Sequence, residues 1–553
     1  MIIIRVALEQ TPDTMANENL LDYYDSLVEQ ALKTGAYEVI PKTDIIRLSD
    51  PNTGERIRVG SITELLPFSR GRTSIFDVSM GIAGFLALRD FNRRKSIFLD
   101  REALVKLENC DMYLTMNVRD TAFSPSTAVR EFLSEFMDTD NETILYEDYD
   151  HHDPTTNNSF SGVFIGINST NITTDISPKT TKQTTRMLQR RQQQQQQQQT
   201  SEERHTRLRS FATLGPVLSD SSTSIGLLAP FAYNPNPLRP EESTGSEGIL
   251  TLSATSGADA LEDPILYPYF ARTISSSYGK AAALVAYMHI ELGVTHLAIL
   301  HAANDYGRAH LKNIMTVAKQ YGIQVYLTSY RDDSGDEHFE SSVQSAMTTL
   351  EQIPVVYHLG ILTGGKIIDP VLKLYDHGLI GPNQPQSHKR VWFFSGTIRD
   401  ASDIEPENNP NQERMGDFHR ALHGSISVGD DDSQAELEML KTLMLQFKQE
   451  PDTIEYFLSR HLGDSIFAHG NNRDMWDAEL DSDKYPIVSN ARARSYDGVM
   501  ALGLAACNAQ HDDSLLSTEA LHRGLKNVTF QGASGPVAFL ETATRDPANM
   551  KYR

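Results

Sequence analysis

Three observations predict an α/β protein built as two doubly wound parallel-sheet lobes with a cleft between them. Over most of the chain, short apolar strand-like runs alternate with helical stretches of roughly 10 to 20 residues, the pattern of βα units that feed a parallel sheet. At 553 residues the chain exceeds what one hydrophobic core ordinarily serves, so size alone calls for a second lobe. Hydroxyl-rich and aromatic turns follow several strand-like runs at their carboxyl ends, the edge at which open α/β sheets take ligands.

Taken in order, residues 1–56 read as an N-terminal extension with one helical stretch (19–34) and an Asp50-Pro51-Asn52-Thr53-Gly54 turn. IRVGSITELLPFS (57–69) is a strand and loop, and IFDVSMGIAGFLALRDFNRR (75–94) a helix. LTMNVRDTAFSPSTAVREF (114–132) gives a strand, a turn and a helix. From 138 to 207 the chain turns polar and includes a glutamine run at 192–199, so it has too little apolar surface to order itself. Residues 151–207 are therefore expected to be a disordered, Gln-rich insertion.

LGPVLSDSSTSIGLLAPF (214–231) reads as a loop and helix. An apolar run at 249–252 leads into Ser253-Ala254-Thr255-Ser256, and a helix over 281–292 is stopped by Gly293. The strand 297–300 then enters Asn304-Asp305-Tyr306-Gly307. Downstream lie VWFFSGTI (391–398), an acidic loop at 401–414, LHGSISVG (422–429), a helix in SYDGVMALGLA (495–505) and NVTFQGASGPVAF (527–539).

Charge narrows the partners. Fifty Lys and Arg stand against 73 Asp and Glu, a formal charge of −23 with no basic cluster beside aromatics, which excludes nucleic acid and anionic membrane surfaces as partners. The longest apolar stretches, around 225–233 and 281–290, are only half of the roughly 20 residues that span a bilayer. MIIIRVALEQTPD at the start lacks the basic region and cleavage site of a signal peptide. Two cysteines, Cys110 and Cys507, leave stability to the core, with their pairing open. Asn-x-Ser/Thr sites at Asn141, Asn157, Asn168, Asn171 and Asn527 are compatible with secretion.

Catalytic signatures are weak. Residues 360–367 nearly spell a phosphate-binding loop, but Ile367 replaces the hydroxyl that would hold Mg²⁺. The run 147–153 gathers carboxylates and imidazoles beside low-complexity sequence, where nothing fixes a ligand geometry, so it reads as a solvated loop and no metal is expected. With no GxSxG, HExxH, CxxC or GxGxxG, the chain reads as a non-enzyme without a cofactor. A small charged ligand held between lobes needs donors, an aromatic wall and a countercharge. Ser219, Ser221 and Ser222 open a helix after Gly215-Pro216, a start suited to an anion. Ser253, Thr255 and Ser256 add donors, and Tyr306 offers a phenol from the opposite lobe. Ordinary capping and turn chemistry explains the same serines equally well.

In their order and content these segments, over nearly all of 57–553, resemble the receptor ligand-binding region. This is the type I periplasmic-binding-protein fold of class C G-protein-coupled receptors, receptor guanylate cyclases and bacterial amino-acid-binding proteins. The resemblance implies an extracellular ligand-binding region of a membrane receptor that closes on a small molecule or peptide and signals onward. A free-standing secreted binding protein is the alternative, and an enzyme on the same sheets a remote one. It also implies a homodimer through the first lobe, with a secretory signal and a membrane segment lying outside this stretch. By likeness to the metabotropic glutamate receptors, Ser221 or Ser222, Thr255 and Tyr306 would hold an amino acid's backbone, whereas Ser277 stands where the amine-binding Asp should be. A second Asp of that family is replaced near Gly396-Thr397, which leaves the ligand class open. The expected lobes are mainly 57–272 with 399–505, and 275–396 with 525–553, crossing near Thr273, at 395–397 and between 505 and 527.

Overall fold

The structure is a computed structural model that describes residues 38–39, 45–49, 56–66, 75–121, 125–136, 210–232, 248–331, 336–362, 367–385, 389–395, 412–428, 434–448, 490–509 and 517–547, with a few isolated positions besides. The expected N-terminal helix, for the most part, the run 147–153, the Gln-rich insertion and most of the loop 401–414 lie outside the described residues.

The first sheet is built around β3 (Arg56–Leu66), whose one edge is taken by β4 (Met112–Asp120) in parallel over the whole register from Arg58↔Met112 to Leu66↔Asp120. The other edge is shared. Its first residues pair antiparallel with β2 (Ile46–Ser49), itself paired with β1 (Glu38–Val39), and its last pair in parallel with β5 (Ser210–Leu214). Parallel strands β6 (Leu250–Ser253) and β7 (Phe270–Arg272) complete it. Counted from β3, the parallel strands lie in the order 2-1-3-4-5, so the winding reverses between β3 and β5.

The second sheet repeats this topology. Its strands are β8 (His296–Ala302), β9 (Gln324–Tyr330), β10 (Tyr357–Ile361), β11 (Val391–Ser395) and β12 (Ile426–Val428), all parallel, in the spatial order β12-β11-β10-β8-β9. Counted from β8 this is again 2-1-3-4-5, with the reversal between β8 and β10. A hairpin of β13 (Thr529–Gly532) and β14 (Gly535–Ala538) forms a separate ribbon.

The central strands of both sheets are buried on two faces, which is why 297–300 and 391–394 read as continuous apolar runs. In β8, Leu297 and Ile299 pack with α5 (Ser277–Ile290) and α6 (Asp305–Gln320), whereas Ala298, Leu300 and Ala302 pack with α7 (Asp336–Gln352), α8 (Ile368–Asp376) and α9 (Met415–Leu422). The first sheet carries α1 (Ile75–Asn92), α2 (Arg101–Glu108), α10 (Gln434–Lys448), α11 (Asn490–Asn508) and α12 (Thr518–Lys526) in one large core. In a smaller one, α3 (Pro125–Phe136) and α4 (Ser219–Leu228) meet Leu65 and Ile249.

Two segments lie elsewhere than the sequence suggested. Residues 412–428 were expected in the first lobe, but β12 pairs with β11, and Phe418 and Ala421 of α9 enter the second sheet's core. The chain therefore returns to the first lobe after Val428 and not at 395–397. Residues 525–545 were expected in the second lobe, yet Val528, Phe530, Ala533, Val537 and Ala543 are buried in the first lobe's core. The reason is an acceptor: Asp497 on α11 takes hydrogen bonds from Ala533 N at 2.7 Å and Ser534 N at 3.0 Å and draws the hairpin turn onto the helix.

The question left open by the cysteines is answered by a Cys110–Cys507 disulfide joining the segment before β4 to the end of α11, across a sequence separation of 397 residues. A crosslink over so long a loop limits the unfolded ensemble strongly. Cys507→Ser is expected to lower the stability of the first lobe by about 2–5 kcal/mol, read as a lower urea midpoint and by loss of the non-reducing mass of the linked peptides. An unchanged midpoint would mean that the bond is not made.

Candidate functional site

The crossing from β7 into α5 is held by two buried arginines. Arg272 N donates to Ala543 O at 3.1 Å and Arg545 N to Arg272 O at 3.0 Å, so the end of β7 and residues 543–545 run side by side. The Arg272 guanidinium, wholly buried, donates to Ala258 O at 2.8 Å, Ser256 O at 3.2 Å and Glu262 Oε1 at 2.5 Å. Arg545 reaches Thr273 O at 3.2 Å, Pro536 O at 2.7 Å and Ser534 Oγ at 2.6 Å. Ser534 Oγ in turn donates to Asp497, whose carboxyl burial pushes up to about 6 against the lowering charge of Arg545.

From this crossing the carboxyl edges of the two sheets face each other. α4 starts at Leu218, which offers no capping side chain, so the first-turn amides of the helix have no side-chain cap. Facing it, α6 is capped by Asn304, whose side chain accepts from Gly307 N at 2.8 Å. Gly307 is required there, because a Cβ would collide with Ala302 O.

Most of the hydroxyls singled out in the sequence bind the protein itself. Ser253 Oγ donates to Pro216 O at 2.8 Å, Thr255 Oγ1 to Val217 O at 2.6 Å, and Ser222 Oγ shares a hydrogen bond of 2.6 Å with Ser256 Oγ while reaching Pro216 O at 3.2 Å. Together they lace the β5–α4 loop to the turn after β6. Ser219 and Ser221, at the start of α4, are also buried. Tyr306 is half-buried against the second lobe's own core, with its ring centroid 4.2 Å from that of His310.

Ser277 is the informative departure. Its Oγ donates to Asp259 Oδ1 at 3.0 Å and accepts from Asn313 Nδ2 at 2.7 Å, and Asn313 also bonds the Asp259 carboxylate. A carboxylate of the first lobe, carried by a 3₁₀ turn at Asp259–Glu262, thus meets position 277. A carboxylate pair, Asp220 and Asp305, bridges the lobes beside it. Asp305 N donates to Asp220 Oδ1 at 3.1 Å, Thr223 Oγ1 donates to Asp305 Oδ2 at 3.2 Å, and the two carboxyl groups are themselves hydrogen-bonded. Asp305 also receives Arg308 Nη2 at 2.6 Å. Asp220 and Asp305 lie within motifs read for their serines and tyrosine, whereas Asp259 and Asn313 carry no local sequence signal.

Two parallel sheets of one topology, joined at a buried crossing and meeting along a polar seam at their carboxyl edges, define a two-lobed ligand-binding protein. The receptor family ligand binding region matches residues 114–552, and the chain belongs to that family. No curated protein matches it. The match begins within β4, so β3, which resembled the family in sequence, is tied to it by its pairing with β4, and α1 by packing in the same core.

Because Thr255 Oγ1 is spent on Val217 O, Thr255→Ala should cost about 1 kcal/mol of folding stability, measurable by urea unfolding, even without ligand. No change in stability would free that hydroxyl for a ligand. The aspartate pair gives a pH dependence. Burial and the charge of Asp305 raise Asp220, which keeps its proton where a free aspartate, near 3.8, has lost it. Burial also pushes Asp305 up, but hydrogen bonds from Arg308 and Asp220, with the charge of Arg308, outweigh it and leave Asp305 lowered. The contribution of Asp220 is therefore complete below the ordinary aspartate value and lost as pH climbs through its raised one, while that of Asp305 is lost only in stronger acid. Amide exchange at the start of α6, corrected for intrinsic rates, should quicken as pH rises from the ordinary aspartate value through the raised one of Asp220, and Asp220→Asn should flatten that rise. An equal slope in both proteins would remove the pair from the seam's energetics.

Proposed function

We propose that this chain is the extracellular ligand-binding region of a membrane receptor, which closes its two lobes on a small molecule or a peptide segment and passes the change to an attached signalling module. The observation that carries this reading is the seam itself. The starts of α4 and α6, one from each lobe, meet through Asp220, Thr223 and Asp305 at the carboxyl edges of both sheets, while Asp259 of the first lobe holds Ser277 and Asn313 of the second. Such contacts form only when the lobes are together, so a ligand that adds to them shifts the equilibrium toward closure by its differential affinity for that state. The wall is rich in acceptors, which favours a ligand that presents donors. Pairing of two chains through the first lobe belongs to the same reading and is supported by the exposed apolar side chains of Phe231 and Ile265, 74% and 87% accessible.

Calorimetric titration against metabolite and short-peptide panels should give a saturable ligand, and Tyr306→Ala should weaken it by about 1–2 kcal/mol, since the ring forms part of the second lobe's face of the cleft. The variant should remain folded, its ring being only half-buried. Unchanged affinity would move the site away from this seam.

A further inference from the structure

The Asn-Val-Thr sequence at 527–529 stands at the surface of the first lobe with two polar side chains unspent. Asn527 follows the last turn of α12 and Thr529 opens β13; both are exposed, whereas Val528 between them is buried, 2% accessible. Burial alternates along the three residues, so amide and hydroxyl face water together. Neither side chain makes a hydrogen bond among the described residues.

The fold does not ask for asparagine at this position. Its backbone, at φ −92° and ψ 2°, lies outside the left-handed region that selects glycine or asparagine after a helix. The helix end is closed by the main chain instead, through Asn527 N to Gly524 O at 3.1 Å and Val528 N to Leu525 O at 3.0 Å. Capping chemistry thus leaves the side chain unexplained, and a free amide two residues before a free threonine hydroxyl is the acceptor of N-linked sugar.

A second feature, independent of this one, points to the same compartment. The Cys110–Cys507 disulfide belongs to an oxidising environment, such as the lumen through which secreted chains pass and in which asparagines are glycosylated. The two features are also neighbours. Gly524 packs so closely on the end of α11 that a Cβ there would stand 3.0 Å from Ala505 O, and Arg58, at the start of β3, reaches Ala506 O at 3.5 Å. The end of α12 therefore lies on the amino-edge side of the first sheet, away from the carboxyl edges that form the seam.

Resting on the reading of the chain as extracellular, we propose that Asn527 carries an N-linked glycan. The donor is a lipid-linked oligosaccharide diphosphate. The Asn527 side-chain nitrogen forms a bond to the anomeric carbon and gives up one proton, while the anomeric C–O bond breaks and the lipid diphosphate leaves with its electrons. Bulky and hydrated, the glycan holds this edge of the first lobe in water and leaves the cleft open.

The test is production of the whole chain in a eukaryotic secretory host behind a cleavable leader, followed by treatment with peptide N-glycosidase in heavy-oxygen water and mass mapping of non-reduced peptides. Site resolution matters, because Asn141, Asn157, Asn168 and Asn171 also stand in Asn-x-Ser/Thr sequences. The peptide holding Asn527 should appear only after the enzyme, as aspartate labelled with heavy oxygen. Thr529→Ser should keep the label, Thr529→Ala and Asn527→Gln should abolish it, and all three should melt with the parent, since the side chains they change are exposed and unbonded. Unmodified Asn527 beside a formed Cys110–Cys507 bond would overturn the glycan and leave the extracellular reading standing. Unmodified Asn527 with both cysteines free would overturn both. Transfer precedes export, so protein retained inside the host decides equally well.

Discussion

The arrangement of this protein depends on the burial of two guanidinium groups at one backbone crossing. Arg272 and Arg545 sit on neighbouring extended segments, exchange backbone hydrogen bonds, and spend their side chains largely on carbonyl oxygens. A buried guanidinium is tolerable when most of its donors are matched, and the carbonyls that accept from these two belong to the turn after β6, the start of the crossing and the C-terminal hairpin. Segments far apart in sequence are thereby held in one place. Burial lowers the pKa of Arg272, and the charges of Glu262 and Asp259 work against it, so both carboxylates of the 3₁₀ turn help to keep that arginine charged.

The turn that neutralises Arg272 is the same one whose Asp259 binds Ser277 and Asn313 of the second lobe. Crossing and seam therefore share a structural element. Asp259 and Glu262 lie on one short turn, so the contact between the lobes and the neutralisation of the crossing arginine rest on the same few residues. On the far side of the knot, Asp497 is held by its buried contacts to Ser534, which ties α11 into the same arrangement.

Much of the fold was legible in the sequence because central parallel strands buried on both faces leave largely apolar runs, and those at 297–300 and 391–394 stand out. What was not legible is which sheet a short strand joins. Ile426–Val428 has three residues and no periodicity of its own, and only pairing with β11 assigns it to the second lobe. The C-terminal hairpin was misplaced for a related reason, since its position follows from a buried carboxylate 36 residues earlier in the chain. At the site, hydroxyl-rich turns were recognised where they occur, but residue type cannot distinguish a serine that waits for a ligand from one that laces two loops, and Ser222, Ser253, Thr255 and Ser256 do the latter. Asp259 could not be read at all. It meets the second lobe only because the 3₁₀ turn lies against α5 and α6.

Whether these lobes move is tested most directly by measuring the distance between them. With Cys110 and Cys507 joined, single cysteines placed at exposed Glu102 on α2 and half-buried, accessible Lys373 on α8 can carry spin labels, one in each lobe, for pulsed dipolar spectroscopy. A two-lobed receptor domain should show two populations of distance, with the shorter one growing as ligand saturates and falling back when Asp259→Asn weakens the seam. A single distance, unmoved by ligand and by that substitution, would contradict closure and leave a rigid α/β protein in its place.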